Sequence, residues 1–429
     1  MLTSLKLKKC CQNFVVITKS EKKKVIFFFP FRGYGGVPVV FLNLAKYLSR
    51  LPSCELNIAV VDYADGYMAN NLDGANIELI IFAKDVKLKL PDDGIIIFQS
   101  LPLWMLPKNI IFPDNCKIFF WNLHPLNLIP YLQKLDYFRL GFLKKIVLRY
   151  FKYFLMSQEI KTIKLFSTFK SITFMDLTNY DQTCQLQFVD YRTFLPLPIG
   201  CPISSELISN PPADLQVFNI AWIGRIVDFK FYILWHVLCR VSSFAERSDL
   251  HVNFIVVGDG PMLNLLKAQS SDLSLNIKFV DSVSRDDMAT FLKDIHIGFA
   301  QGMSALDFAN HGVPAVGLDY TYKSVENNYK FEWLYKKHGF NLGENITTHH
   351  MDSSVDSLEE VMQEVINDRS RIVKESLDYV RKNHSNESVA NKFLKLIDRS
   401  SLRFIDIPKS YFRIGVLTKI LGGKPGWRD

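Results

Sequence analysis

Short apolar runs that alternate with helical patterns constrain the fold of this 429-residue chain more than any other feature. In the first half, runs such as 25–29, 56–61 and 94–98 are apolar apart from Asn57, and helical patterns separate them. A second series of the same kind begins at Asn219. Continuous apolar strands separated by helices are typical of parallel sheets that are covered on both faces. The sequence therefore predicts an α/β protein with two doubly wound parallel sheets.

The chain is long enough for two domains, and a change in composition indicates the boundary between them. Apolar residues make up 48% of the chain, which is enough for two buried cores. Residues 200–217 are rich in Pro, Ser and Asn, as is typical of a linker. We expect five segments: a basic arm at 1–21, a first Rossmann-like domain at 22–200, a linker at 201–217, a second Rossmann-like domain at 218–398, and a basic tail at 399–429 that packs back on the first domain.

Charge, hydropathy and cysteine usage argue against several classes of protein. The net charge of +8 is a mild excess, so we expect no nucleic-acid partner. No apolar run is long enough for a transmembrane helix, and the apolar stretch 14–17 is too short for a secretory signal. The seven cysteines show no paired metal-ligand spacing. We therefore expect no metal and a reducing, cytoplasmic compartment.

The segment 298–318 combines a glycine-containing turn with a short helix that carries one carboxylate. The turn is formed by Gly302, Met303, Ser304 and Ala305. Backbone N–H groups and the helix dipole attract a phosphate at such a helix start. Asp307, just inside the helix, can accept a hydrogen bond from a ribose hydroxyl. The segment therefore predicts a nucleotide site.

A second candidate phosphate site follows the predicted strand 219–223. Gly224 and Arg225 come directly after this strand, and Lys230 lies five residues beyond the arginine. Arginine offers a bidentate fork to phosphate, and lysine offers a compact charge. At the carboxyl edge of a parallel sheet, the two cations are suited to neutralise a departing diphosphate. A pair of solvated surface cations is the alternative interpretation.

Together these residues resemble the C-terminal half of GT-B glycosyltransferases, and most of all the retaining, family-4-like (group 1) enzymes that build bacterial surface polysaccharides. The resemblance covers the segment 219–320, including the glycine turn 258–261. It implies that Arg225 and Lys230 bind the donor diphosphate and serve catalysis. It also implies donor contacts from Gly224, Gly258, Gly260, Gly302, Met303, Ser304, Ala305 and Asp307.

The late helix departs from the pattern of this family, which often carries one glutamate before the turn and a second in the helix. Here the corresponding positions hold Phe299 and Asp307. The departure leaves the donor sugar and the stereochemical outcome open. It also motivates an alternative function, a non-catalytic homologue that binds a nucleotide-sugar or a glycan as a scaffold for partner transferases.

In the first half, a glycine-rich turn follows the first strand. Gly35 and Gly36 let the backbone approach a ligand, and the next helix points its N-terminus at the predicted cleft. A simple tight turn is the alternative. The glycine spacing is not that of the dinucleotide fingerprint, although Asp62 lies at the end of the second strand. A dinucleotide-dependent oxidoreductase is therefore not favoured.

Two polar residues follow later strands of the first half. His124 comes after the strand that ends at Trp121, and Asp176 comes after the strand 172–175. Side chains at the carboxyl edge of the sheet face the ligand, although a structural role is the alternative for both. Similar transferases place a histidine near here, so the resemblance implies a catalytic His124. Asp176 is a candidate for the acceptor cleft because of its position after the strand. If either residue were a general base, the enzyme would be an inverting GT-B transferase.

A basic amphipathic pattern covers residues 138–156. Lys145, Arg149 and Lys152 share one side of a helix, opposite an apolar side. Helices of this kind lie on anionic membrane surfaces. An ordinary helix that covers the core is the alternative interpretation.

The residues and the resemblance together predict a GT-B fold, in which two Rossmann-like doubly wound domains face each other across a cleft. They predict a glycosyltransferase that needs no cofactor and no metal. Its donor would be a nucleotide-sugar, and its acceptor a lipid-linked saccharide in O-antigen, lipopolysaccharide or capsule synthesis, with retention at the anomeric carbon. We expect it at the inner face of the cytoplasmic membrane.

Overall fold

Two parallel sheets form the centre of the computed structural model. It describes residues 23–33, 35–51, 56–130, 157–187, 195–204, 216–346, 357–420 and 427. Each sheet has six strands, and apolar clusters cover both of its faces. This arrangement confirms the predicted α/β class with two Rossmann-like, doubly wound sheets.

The first sheet is built from the first eight strands, apart from the short pair β4 and β6. Their bounds are β1 Lys23–Phe28, β2 Leu56–Asp62, β3 Glu78–Ile81, β4 Leu88–Lys89, β5 Gly94–Gln99, β6 Ile110–Ile111, β7 Lys117–Asn122 and β8 Ile172–Phe174. The order is β3-β2-β1-β5-β7-β8, and all neighbours are parallel. Val25 and Phe27 pack on one face of the sheet, and Ile26 and Phe28 pack on the other. Burial on both faces is the reason that the run is continuously apolar.

The second sheet contains the next six strands. Their bounds are β9 Val217–Ile223, β10 His251–Val257, β11 Asn276–Val280, β12 Ile297–Ala300, β13 Ala315–Gly317 and β14 Glu332–Trp333. The order is β11-β10-β9-β12-β13-β14, and only the last pair is antiparallel. Because β9 lies between β10 and β12, the loops that follow these three strands meet at one edge of the sheet.

Helices α1 to α8 lie between the strands, as the alternating pattern predicts, and α9 to α11 follow the last strand. Their bounds are α1 Gly36–Ser49, α2 Tyr67–Asn70, α3 Ser157–Thr168, α4 Leu177–Gln187, α5 Asp228–Ala245, α6 Leu263–Ser270, α7 Met288–Leu292, α8 Met303–Asn310, α9 Leu358–Asn383, α10 Asn386–Arg399 and α11 Val416–Ile420. Short 3-10 turns occur at Leu103–Met105, Leu334–Lys336, His338–Phe340, Phe404–Asp406 and Lys409–Phe412. Residues 195–199 form no strand. Pro196 and Pro198 have no N–H group to donate to a ladder.

Helix α10 follows the second sheet in the sequence but packs on the first. Phe393 stacks on Phe27 of β1, with ring centroids 5.8 Å apart, and meets Phe119 of β7 edge-on. Val389, Phe393 and Ile397 are at most 2% exposed in this cluster. The segment 218–398 is therefore divided between two cores, because its last helix completes the first one.

The two chain crossings between the halves are joined by hydrogen bonds. The N–H of Cys201 donates to the carbonyl of His384 at 2.8 Å, and Asn386 donates back to Cys201 at 3.1 Å. The His384 ring, which is fully buried, meets the carbonyl of Ile199 at 2.8 Å. These contacts place residues 199–201 and 384–386 side by side where the chain passes from one half to the other.

The chain after α10 stays on the first half of the molecule. The N–H of Ile118 donates to the carbonyl of Leu402 at 2.9 Å, and Phe404 stacks on Phe112 at 4.7 Å. Trp427 donates its indole N–H to the carbonyl of Pro30 at 2.9 Å. The described part of the tail thus packs on the face of the first sheet that carries Ile26 and Phe28.

Several predicted segments lie outside the described residues. These are the arm 1–21, the amphipathic segment 138–156 and most of the linker 201–217. The predicted domain boundaries stay predictions. Within the described ranges, no helix combines the length and the apolarity that crossing a membrane requires.

Candidate functional site

Two loops at the carboxyl ends of β9 and β10 pack directly on each other. The N–H of Gly224 donates to the carbonyl of Val257 at 3.0 Å. Gly258 and Gly260 have φ angles of +146° and +155°, and a Cβ on either would overlap a carbonyl oxygen of the loop after β9. These glycines therefore have a packing role, which positions Arg225 at the edge of the sheet; a direct contact with a donor stays a prediction.

Lys230 lies in the first turn of α5 and extends back over the loop that carries Arg225. A Cβ added to Gly224 would lie 3.5 Å from the Lys230 Nζ. Burial lowers the pKa of the Lys230 ammonium to about 8. Neither this ammonium nor the exposed Arg225 guanidinium has an ion-pair partner within the described part of the chain. Two cations near each other without a carboxylate partner suit an anionic ligand.

The start of α8 leaves backbone donors available at the same edge of the second sheet. Gly302 has φ +65° and donates its N–H to the carbonyl of Leu342 at 2.7 Å, while Ala305 bonds back to Gly302 at 3.2 Å. The N–H groups of Met303 and Ser304 have no recorded acceptor among the described residues. A Cβ on Gly302 would meet no atom within 4 Å. Open space next to unbonded amides is the geometry of an anion site.

Asp307 lies one turn into α8 and is largely enclosed. Burial raises the pKa of its carboxyl to about 6, and the charges of His311 and Arg285 offset part of the rise. No hydrogen bond to the carboxylate is recorded from any described residue, since His311 bonds to the Asp307 carbonyl instead. The carboxylate is thus an unused acceptor beside the helix start, as the ribose interpretation requires.

Phe299, at the position where the resembling family often carries a glutamate, is part of the apolar core. It is the third residue of β12 and is fully buried in the second core. It meets Phe331 edge-on at 5.9 Å. Gln301, which follows β12, uses its amide to bond the carbonyl of Asp319 at 2.7 Å. Neither side chain places a carboxylate beside the start of α8.

Asp62 organises the loop after β1, a role that the sequence analysis missed. Its carboxylate accepts the N–H groups of Phe31 and Met68 at 2.8 Å and 2.7 Å, as well as those of two further residues. A Cβ on Gly66 would overlap this carboxylate. Because its oxygens accept hydrogen bonds from backbone N–H groups, Asp62 is not available to bind the ribose of a dinucleotide. In the sequence, this role could have been predicted from the carboxylate at the end of β2 and from Gly66 shortly after it.

Gly35 and Gly36 lie at the start of α1, in the loop that Asp62 supports. Gly35 is the N-cap residue of α1 and has no side chain to cap the helix. A Cβ on Gly36 would meet no atom within 4 Å, so space is open beside the helix start. A Cβ on Gly35 would lie 3.4 Å from the ring of Phe31. The role of the two glycines in the acceptor cleft stays a prediction.

His124 lies after β7 and lines a pocket of about 270 Å³ at the carboxyl edge of the first sheet. Its Nδ1 accepts the N–H of Leu126 at 3.1 Å, and burial lowers its pKa. In the neutral ring the proton is then on Nε2, which makes this atom a donor. The geometry supports a hydrogen-bonding role and does not support Nε2 as a general base.

Asp176 caps helix α4. Its carboxylate accepts the N–H of Asn179 at 2.6 Å, and the side chain is almost fully buried. Burial raises its pKa to about 7, and Glu344 adds to the rise while Lys337 opposes it. Asp176 therefore faces residues of the second half, but its hydrogen bond is structural. Contact with an acceptor stays a prediction.

The predicted residues gather at the carboxyl edges of the two sheets. Arg225, Lys230 and the start of α8 share the edge formed by β9 and β12. Met303 also packs against the apolar cluster of the first sheet, so the start of α8 lies at the junction of the halves. Within the described ranges, no group of three or more His, Cys, Asp or Glu side chains is arranged to hold a metal ion.

Comparison with solved structures identifies proteins of the same architecture. Neither protein-family models nor curated proteins match the sequence. The structure of Anabaena Alr3699/HepE in complex with UDP and glucose has a TM-score of 0.51 at 12% identity, covering 88% of this chain and 99% of that one. The apo form of the lipopolysaccharide outer core galactosyltransferase WaaB has a TM-score of 0.53 at 11% identity, with coverages of 88% and 99%.

A third similar structure shows that the likeness concerns the fold. The N-terminal domain of the Candida albicans trehalose-6-phosphate phosphatase has a TM-score of 0.50 at 10% identity, covering 89% of this chain and 98% of that chain. At such identities the likeness establishes architecture and not activity. The chain has the predicted GT-B fold, which it shares with glycosyltransferases.

Proposed function

We propose that this protein is a glycosyltransferase that moves a sugar from a nucleotide-sugar to a hydroxyl group of a saccharide acceptor. The observation that carries the proposal is the convergence of unpaired donors at one sheet edge: Arg225, Lys230 and the amides of Met303 and Ser304. The unused carboxylate of Asp307 lies on the same helix. Cations and amides for a diphosphate, next to an acceptor for a ribose, fit a nucleoside diphosphate. HepE, a protein of the same fold, was solved with UDP-glucose.

In the proposed reaction, the acceptor oxygen bonds to the anomeric carbon while the bond from that carbon to the phosphate oxygen breaks. Negative charge develops on the departing diphosphate. In this proposal, Arg225, Lys230 and the helix-start amides stabilise this charge. The acceptor proton passes to the departing phosphate oxygen. Attack and departure on the same face give retention, and the donor role of His124 Nε2 suits this route because it requires no protein base.

The lipid-linked acceptor, the retaining outcome and the association with the inner membrane face form the finer part of the proposal. They rest on the family resemblance, and the membrane association also rests on the pattern of 138–156. Product NMR determines the anomeric configuration. Flotation with vesicles of anionic lipid tests the membrane association: co-flotation that is lost when Lys145, Arg149 and Lys152 are changed to glutamine supports it, and flotation unaffected by these changes contradicts it.

The alternative, a non-catalytic scaffold, is motivated by Phe299 in place of a carboxylate. It predicts that the nucleotide-sugar binds without turnover. Donor hydrolysis and transfer assays with UDP-, GDP- and CDP-sugars distinguish the two functions, after a thermal-shift screen has identified the nucleotide that stabilises the folded chain.

The first prediction concerns the two cations. We expect Arg225→Ala and Lys230→Ala each to reduce transfer at least about a hundredfold, because each removes a charge-assisted contact to the leaving diphosphate. Lys293→Ala, which changes an exposed lysine just before β12 and so at the opposite edge of the sheet, is the matched control. Circular dichroism checks the fold of each variant. Full activity in both site variants contradicts the site assignment.

A further inference from the structure

The pocket at the carboxyl edge of the first sheet is formed partly by the C-terminal tail. Its described lining comes from the loop after β1, the end of β5 and the loop after β7, and Trp427 closes one side. Open α/β sheets bind ligands at this edge. Trp427 reaches it from 397 residues away along the chain, through its hydrogen bond to Pro30.

The pocket has one aromatic side and one polar side. Phe29, Phe31 and Trp427 form the aromatic side. Ser100, His124 and Asn127 form the polar side. None of the described lining residues is a lysine, arginine, aspartate or glutamate. Such a lining suits an uncharged ligand and disfavours a phosphate or a nucleotide.

Two polar atoms of residues that line the pocket lack a hydrogen-bond partner in the described structure, and both have almost no exposed surface. The Ser100 Oγ and the Asn127 Nδ2 are both buried and unpaired, and Ser100 is only 1% exposed. A buried polar group without a partner costs about 1–3 kcal/mol. The His124 Nε2–H is one group that can bond a hydroxyl-bearing ligand, and the Ser100 and Asn127 atoms add two more once their side chains rotate toward the cavity. A purely apolar ligand would leave all three unsatisfied.

Trp427 is held so that its ring position is defined. Its indole meets Phe28 and Phe29 nearly at right angles, with centroids 5.3 Å and 5.6 Å apart. The side chain remains partly exposed. An anchored, partly exposed indole offers a flat apolar surface with little loss of side-chain entropy. The C–H face of a pyranose ring stacks well on such a surface, while its hydroxyls point away from it.

We propose that this pocket binds one neutral sugar ring of the acceptor, with Trp427 as its stacking surface and Ser100, Asn127 and His124 as its hydrogen-bonding partners. The cavity of about 270 Å³ has room for a single hexose. The proposal rests on the proposed transferase function and assigns the acceptor subsite to a residue of the C-terminal tail. In this proposal, the tail contributes Trp427 to the binding site in addition to packing on the core.

The direct test observes Trp427 without any nucleotide. The full chain is labelled with 5-fluorotryptophan, and Trp427→Phe identifies its fluorine resonance among the six tryptophans. The probes are the methyl glycosides of glucose, galactose, mannose and N-acetylglucosamine. We expect at least one to shift the Trp427 resonance saturably, with the other resonances nearly unchanged. Ser100→Ala should weaken that binding about fivefold, since it removes one hydrogen bond.

A kinetic test separates this proposal from the transferase proposal. We expect Trp427→Ala to raise the acceptor KM at least about tenfold while donor hydrolysis stays unchanged. Trp427→Phe should recover part of the loss. If Arg225→Ala abolishes transfer but no glycoside shifts the Trp427 resonance, this inference fails and the transferase proposal stands. If a glycoside binds at Trp427 while Arg225→Ala and Lys230→Ala retain full transfer, the donor-site assignment fails alone.

Three further results overturn the sugar pocket. A shift of the Trp427 resonance by UDP and not by glycosides would assign the pocket to a nucleotide. A shift only by decanol would assign it to an apolar chain. Higher transfer activity in Trp427→Ala would show that the indole obstructs the acceptor instead of binding it.

Discussion

At the scale of single residues, two enclosed ionisable side chains determine how donor binding depends on pH. Burial lowers the pKa of Lys230 to about 8 and raises that of Asp307 to about 6. The diphosphate needs the charged ammonium, and a ribose hydroxyl needs the charged carboxylate. We therefore expect donor affinity to be highest between about pH 6 and 8. It falls above this window as Lys230 loses its proton, and below it as Asp307 gains one.

Calorimetric titration of a nucleotide-sugar across this pH range measures the effect, because the diphosphate of the sugar conjugate does not itself titrate there. Lys230→Arg should remove the alkaline fall, since guanidinium stays charged. Asp307→Asn should remove the acidic fall. An alkaline fall that persists in Lys230→Arg would assign the titration to another group. The residue types and the spacing predicted both side chains, but their burial, and so their pKa values, depends on the packed structure.

At the scale of elements, the packing of two glycine-dependent loops determines where Arg225 lies. A Cβ on Gly258 would overlap the carbonyl oxygen of Gly224, and its φ of +146° disfavours any other residue. We expect Gly258→Ala to lower the free energy of unfolding by about 1–3 kcal/mol. Donor affinity should fall as well, because the loop with Arg225 must move. Urea unfolding and calorimetry measure the two effects.

Gly36→Ala is the matched control for the loop prediction. This glycine begins α1, and a Cβ there would meet no atom within 4 Å. We expect unchanged or slightly higher stability, because alanine is favoured in helices by up to about 1 kcal/mol. Unchanged stability and donor affinity in Gly258→Ala would contradict the packing role of the glycine. The sequence predicted the Gly258 turn as a ligand contact. The packing of this turn on the loop after β9 is visible only in three dimensions.

At the scale of the full chain, the first core depends on a helix that follows the second sheet in the sequence. Phe393 of α10 is fully buried between β1 and β7. We expect Phe393→Ala to lower the free energy of unfolding by about 3–5 kcal/mol, through lost burial and the cavity left behind. Hydrogen exchange should show loss of protection in β1 and β7 before β9.

Leu266→Ala provides the control in the other half of the molecule. Leu266 lies on α6 and is fully buried in the second core. We expect its protection loss to affect β9 and β10 first. Equal loss in both sheets for both variants would show that the halves unfold as one unit and would contradict the prediction that each core loses protection separately.

The α/β class, the two series of strands and the turns with Arg225, Lys230 and Gly302 could all be predicted from the amino-acid sequence. These features follow from local periodicity, local turn chemistry and the rule that ligands lie at the carboxyl edges of parallel strands. Three features are visible only in the folded chain: α10 completes the first core, Asp62 supports the loop after β1, and Trp427 reaches the pocket beside His124. Those contacts join residues far apart in the chain. The apolar pattern of a helix shows that one face is buried but not which sheet buries it.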